Sequence, residues 1–187
     1  EKLDLASDAQ IRLYNEYFGG GMNSIVFQEM REARGLAYSA LGRLLEPEHK
    51  DDCYKYFAFI ATQNDKMQTA IEAFDEIIND MPESETAFSI AKESLTTQYR
   101  TERITGRSIL RSYKTDREMG INESRSKKIY ENLSQLTLED IKNTQKKWVE
   151  GRTYSYGILG DIKSLDTKYL KTLGPVEILT LEDIFGY

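Results

Sequence analysis

Leu13-Tyr14-Asn15-Glu16-Tyr17-Phe18-Gly19-Gly20-Gly21-Met22-Asn23-Ser24-Ile25-Val26-Phe27-Gln28-Glu29-Met30-Arg31-Glu32-Ala33-Arg34-Gly35-Leu36-Ala37-Tyr38-Ser39 holds two helix ends and the start of a strand in one run. Just upstream, Ser7 and Gln10 match a capping box, and Ile11, Tyr14 and Phe18 fall on one helical face, so a helix is predicted over residues 7–18. Gly19, Gly20 and Gly21 end it, because glycine loses the most backbone freedom in a helix. A short second helix is predicted from an N-cap at Asn23 or Ser24 to Arg34, with Val26, Phe27 and Met30 as its apolar side and Gly35 as its stop. Beyond Gly35 the hydrophobic period falls from helical to alternating. Residues 36–45 and 53–62 read as strands, and the polar link 46–52 suits a hairpin.

The helical period returns after Asn64. Met67, Ala70, Ile71, Phe74, Ile77, Ile78 and Met81 keep the spacing of a buried stripe, and Pro82 closes it. A long helix follows from about Ser84 with Phe88, Ala91, Leu95 and Tyr99 inward, and residues 101–128 read as a break followed by weaker helix. Thr137 opens another helix, with Asp140 at the capping-box position and Leu136 and Ile141 as a hydrophobic staple, and Gly151 ends it. Residues 153–159 alternate as a half-buried strand does, 166–173 form a short helix, and 176–179 a last strand. Strands in pairs and helices in pairs imply an α+β class: a two-layer sandwich with helices on one face of a mostly antiparallel sheet.

The 187 residues suffice for one sizeable core and are read as a single domain, 1–187. The net charge is -6 and the 25 Lys and Arg form no long run, which argues against nucleic acid or an anionic membrane as partner. No apolar run is long enough to span a bilayer, so the expectation is a soluble, cytoplasmic or periplasmic protein. Cys53, the one cysteine, excludes an internal disulfide and is expected as a small buried thiol. His49, the one histidine, lies in a charged turn. A catalytic zinc site commonly takes two or three His or Cys ligands, so this chain is expected to bind no metal. No Gly-x-Ser-x-Gly elbow accompanies His49, and the three glycines follow a helix without the Lys-Ser/Thr of a phosphate loop.

The order of a helix ending in three glycines, a following Ser24, a short helix ending Arg31-Glu32-Ala33-Arg34-Gly35-Leu36, and then Tyr38-Ser39 resembles the second, zinc-free domain of the insulinase/pitrilysin and mitochondrial-processing-peptidase family of metallopeptidases. The element order and the Gly157-x-x-Gly160-Asp161 turn extend the resemblance over nearly the whole chain. It implies a LuxS/mitochondrial-processing-peptidase-like metallohydrolase fold. The family's domain has one further strand before the first helix, so the chain reads as a domain lacking its first strand.

The resemblance implies the non-catalytic half of a zinc-dependent metalloendopeptidase, closing over a peptide substrate. The zinc would sit in a partner, an N-terminal domain or subunit carrying His-x-x-Glu-His. The matching positions make Arg31 and Tyr38 the catalytic contacts across the cavity, Arg31 on substrate carbonyls and Tyr38 on the scissile carbonyl or its oxyanion. Phe18, Gly19, Gly20 and Ser24 would line the same cavity as substrate-binding residues. Ile25 stands where relatives often carry an Arg. The residues themselves leave another reading open, with Arg31 paired to Glu32 or Glu29 and Tyr38 in the core. An inactive scaffold subunit or a peptide-binding subunit of the same fold is the alternative function. The missing strand and partner predict an exposed apolar face and association into homo-oligomers.

Overall fold

Short polar side chains set most of the helix starts. In the computed structural model, which describes residues 4–47, 49, 51–103 and 105–187 (Arg107 in its backbone only), α1 runs Asp8–Gly19 and α2 Ile25–Phe27, continuing into a π-helical stretch at Gln28–Ala33. The hairpin β1 (Ser39–Leu45) and β2 (Lys55–Ala61) follows, then a 3₁₀ turn at Asn64–Lys66. Helices α3 (Met67–Asn79), α4 (Glu85–Thr101), α5 (Gly106–Glu118), α6 (Arg125–Leu133), α7 (Leu138–Trp148), α8 (Thr167–Leu173) and α9 (Leu181–Phe185) complete the order. Ser24, Ser84 and Asp166 accept hydrogen bonds from backbone amides in the turns they open, and Thr137 and Asp140 form the expected capping box. Ser7 does not cap α1. Its hydroxyl donates instead to the Asp4 carboxylate at 2.6 Å, a charge-assisted bond that also holds the Asp4 pKa below its ordinary value.

Helix α1 is the hub. Ile11, Leu13, Tyr14, Tyr17 and Phe18 are all fully buried, more than one face's worth, because β1, α4, α6 and α7 pack around it. Its end crosses β1 so closely that a Cβ on Gly19 would stand 2.2 Å from the Gly42 carbonyl oxygen. Asn15 supports the same crossing. Its side-chain amide donates to the Leu44 carbonyl at 2.9 Å and accepts from the Leu44 N–H at 2.8 Å, covering that edge of β1 as a partner strand would.

Strands β1 and β2 pair antiparallel from Ser39↔Ala61 to Leu45↔Lys55. Ala40, Gly42 and Leu44 face the helices, and the alternate residues face away. The sheet is smaller than the sequence led us to expect, with two strands among the described residues. Residues 153–159 and 176–179 form no strand. Residues 154 and 156 are held by side chains: Tyr154 packs its ring 5.7 Å from that of Tyr56, and Tyr156 donates to Asp75. Alternation therefore reported a segment lying on the body without reporting a partner for its backbone. Cys53 is another correction. It is exposed at the foot of β2 while the neighbouring Tyr54 takes the buried position.

Across the far side of the hub, Arg125 donates to both oxygens of Asp8 at 2.5 and 2.6 Å and to Glu46 at 2.8 Å, tying α6 to α1 and to the end of β1. Removing one partner strands a mostly buried carboxylate. Because the guanidinium keeps some solvent contact, Arg125→Met is expected to cost about 2 kcal/mol, below the range for a fully buried pair, read as a lower urea midpoint.

Burial also raises the pKa values of Tyr14 and Tyr56, and pushes Tyr154 up to about 12. Folded values above the unfolded one mean stability fully present below about pH 10 and lost as pH rises beyond it. Tyrosine absorbance in an alkaline titration should then show a late fraction ionising together with loss of helix signal. A single transition at the ordinary phenol value would contradict this.

Candidate functional site

Arg31 and Tyr38 lie seven residues apart, and the fold-back between them is pinned at several points. The π-helical stretch closes with the Arg34 N–H on the Glu29 carbonyl at 3.2 Å, an i to i−5 bond, and such stretches frequently occur at functional sites. Gly35 then takes a left-handed φ of +58°, which a side chain would resist. Leu36 and Ala37 both donate their N–H groups to the Met30 carbonyl, the Tyr38 N–H bonds the Ala61 carbonyl at 3.0 Å, and Thr62 donates to the Leu36 carbonyl at 2.6 Å. Tyr38 is thereby delivered to the top of β1.

The two side chains meet there in the open. The Arg31 guanidinium sits over the Tyr38 ring at 5.2 Å and over the Phe27 ring at 5.0 Å, and reaches the Tyr38 carbonyl at 3.4 Å. It also pairs with Glu32 at 3.6 Å, as the alternative reading had it, while Glu29 pairs with Arg34 at the same distance. Tyr38 is 81% exposed, so the reading that put it in the core does not describe this fold. The arrangement holds a fork of cationic donors stacked between two rings, beside a phenol turned to solvent. Phe27 was not singled out in the sequence as part of the site. It counted there as an apolar helix residue, and no spacing rule distinguishes a core ring from a platform for a cation.

The expected lining residues separate. Phe18 is fully buried, stacked on Tyr14 with centroids 5.3 Å apart, and offers no surface to a substrate. Gly19 is spent on the backbone crossing with Gly42, and Ser24 is buried with its hydroxyl accepting from the Phe27 N–H. Ile25 is buried in the core as well. Gly20 alone of the four is exposed. Below Tyr38, the outward face of the hairpin carries Leu41, Arg43, Phe57 and Phe59, with both phenylalanines about half exposed. The period-2 pattern of residues 55–61 was legible, but both faces of that strand are aromatic and nothing in it marks which one is buried.

Among the described residues, no group of three or more His, Cys, Asp or Glu side chains is gathered closely enough to hold a metal ion. The His49 side chain is 80% exposed, with Asp52 3.2 Å from its Nδ1, and exposed Cys53 supplies no complementary cage. These residues do not fit a catalytic zinc. No helix among the described residues is long and apolar enough to cross a membrane.

The chain is similar to known proteins in the same region that builds this site. Residues 3–95 match the family model of the peptidase M16 inactive domain. No curated protein matches the chain. A crystal structure of a peptidase M16 inactive domain from Pseudomonas fluorescens superposes with a TM-score of 0.61 at 18% identity, over 75% of this chain and 34% of that one. The present chain thus spans about a third of that structure's length, and at this identity the likeness speaks for the fold. Every candidate residue from Phe18 to Tyr38, and the hairpin below them, falls within the matched segment, and over that segment this chain is similar to the inactive domain of the M16 peptidases.

Proposed function

We propose that this chain is the non-catalytic half of a zinc-dependent metalloendopeptidase, closing over a peptide held against a zinc site on a partner half. The observation that carries the reading is the Arg31–Tyr38 pair. A guanidinium and a phenol project side by side from a rigidly pinned turn, at the margin of a sheet face left open to solvent. Such donors suit substrate carbonyls and the negative charge that develops on them. The partner would be a zinc-bearing N-terminal domain or subunit with a His-x-x-Glu-His motif, and the complete molecule would have the two-layer LuxS/mitochondrial-processing-peptidase-like sandwich. Zinc would be bound there and supply the hydrolytic chemistry, and Arg31 and Tyr38 would bind and orient the peptide. Association of the chain with copies of itself, through the outer edge of β2, which pairs with no strand among the described residues, is a second part of the proposal.

The test is reconstitution. The chain alone, dialysed and analysed for metal, should hold no stoichiometric zinc and cleave no fluorogenic peptide. Mixed with the zinc-bearing half, it should restore cleavage. Restoration of nothing by a folded chain would favour the alternative, an inactive scaffold or peptide-binding subunit of the same fold. One tightly held zinc per chain, lost on His49→Ala, would overturn the assignment of halves.

A further inference from the structure

The outward face of the hairpin has an unusual composition for this protein. The chain has 31 Asp and Glu against 25 Lys and Arg, yet β1 and β2 contain Arg43 and Lys55 and no carboxylate. The register places Arg43 opposite Phe57, Leu41 opposite Phe59 and Leu45 opposite Lys55, so the two cations are diagonal neighbours on one face with rings beside them. Diagonal neighbours stand about 7–8 Å apart. Among the described residues neither cation has a carboxylate within ion-pair distance. Two like charges on one apolar face, with no ion-pair partner among the described residues, leave a charge that an occupant can complement. The Arg31–Tyr38 pair stands at the far end of the same hairpin, where Tyr38 bonds to Ala61.

We infer that this face is a selectivity surface for extended peptides carrying acidic and large apolar side chains together, the acids meeting Arg43 and Lys55 and the apolar groups meeting Leu41, Phe57 and Phe59. The inference rests on the peptidase-half reading and names its substrate class. The face fits an extended occupant because alternate side chains of a strand project to one side, as those of the hairpin do. Phe57 and Phe59 bind without regard to charge, so they set affinity. Arg43 and Lys55 set sign, because a basic peptide would meet like charge on two strands that carry no acid.

The experiment measures binding of the 187-residue chain itself, with no zinc half present, to three fluorescein-labelled unstructured peptides by anisotropy. One alternates Glu or Asp with Phe, one carries Lys in place of the acids, and one keeps the acids with Ala in place of Phe. The acidic aromatic peptide should bind about tenfold more tightly than either of the others, and that preference should shrink as salt is raised. The double variant Arg43→Glu with Lys55→Glu should reverse the charge preference, and Phe57→Ser with Phe59→Ser should weaken the two Phe-containing peptides alike while changing the Ala peptide little. All four side chains are outward-facing, and melting curves confirm that the variants fold. Equal binding of the acidic and basic peptides by the wild type would overturn the inference, as would a dimer in solution that Phe59→Ser dissociates, since the occupant is then a second copy. If charge preference is absent while the reconstituted enzyme still cleaves peptides, the selectivity surface fails and the peptidase-half reading stands. If the preference is present and reconstitution fails, the surface stands as that of a peptide-binding subunit.

Discussion

Gly19→Ala should cost the fold at least about 3 kcal/mol, the top of the usual range for overpacking. The added methyl would stand 2.2 Å from the Gly42 carbonyl oxygen and 2.5 Å from the Gly42 nitrogen, and both are backbone atoms. Neither strand nor helix can yield easily. β1 is held by its ladder to β2 and by the Asn15 amide, and α1 is buried on all the sides that β1, α4, α6 and α7 cover. Against a total stability of about 5–15 kcal/mol such a loss is large enough to depopulate the native state under mild heating. Two neighbouring substitutions sharpen the expectation. A Cβ on Gly21 meets nothing within 4 Å, so Gly21→Ala should be neutral or slightly stabilising. A Cβ on Gly42 would meet the Tyr56 hydroxyl at 2.5 Å and the Phe18 ring at 2.9 Å, side chains that can shift, so Gly42→Ala should fall between the two. Urea denaturation of the three variants reads the order directly. Equal midpoints for Gly19→Ala and Gly21→Ala would mean that the helix–strand crossing is not as close as described.

That contrast bears on what the sequence could reveal. Three consecutive glycines read as one feature, a helix stop, yet Gly19 serves a backbone crossing with a residue 23 positions away and Gly21 serves only the turn. Local chemistry was legible wherever its cause was local: the Ser24, Ser84 and Thr137 caps, the left-handed Gly35, and the hairpin at 36–62. Ser7 misled because its capping partner competed with a carboxylate three residues upstream. Residues 153–159 and 176–179 misled because alternation records sidedness, and a strand also needs a neighbour for its amides. The π-helical winding at Gln28–Ala33 had no signature in composition, though it decides where Arg31 emerges. For the candidate site, the family resemblance pointed to Arg31 and Tyr38, which the fold brings together in the open, whereas Phe18 and Ser24 lay within the same motif and are buried. Proximity in a motif carried no information about which side of the backbone each residue takes.

In the enzyme assembled with its zinc half, Tyr38→Phe should lower turnover by up to about 100-fold, and Arg31→Ala should act mainly on KM. Removing one oxyanion donor typically costs about 10²–10³-fold in kcat, and a metal on the proposed partner half would share the stabilisation, so the lower end is the expectation for the phenol. Tyr38 can reach a substrate because it is 81% exposed, and its backbone is fixed by Ala61, so losing the hydroxyl leaves the turn and the Arg31 stack in place. Arg31 differs. If its guanidinium grips a substrate carbonyl in ground and transition states alike, its loss removes uniform binding, and KM rises more than kcat falls. Arg31→Lys keeps the charge but not the planar fork stacked between Phe27 and Tyr38, so it should rescue little. Zinc occupancy of the assembled enzyme should be unchanged in all three variants. Steady-state kinetics on a fluorogenic peptide decide the matter: wild-type kcat and KM in both Tyr38→Phe and Arg31→Ala, with melting curves intact, would reduce the pair to a structural turn and leave this half of the molecule without a part in the chemistry.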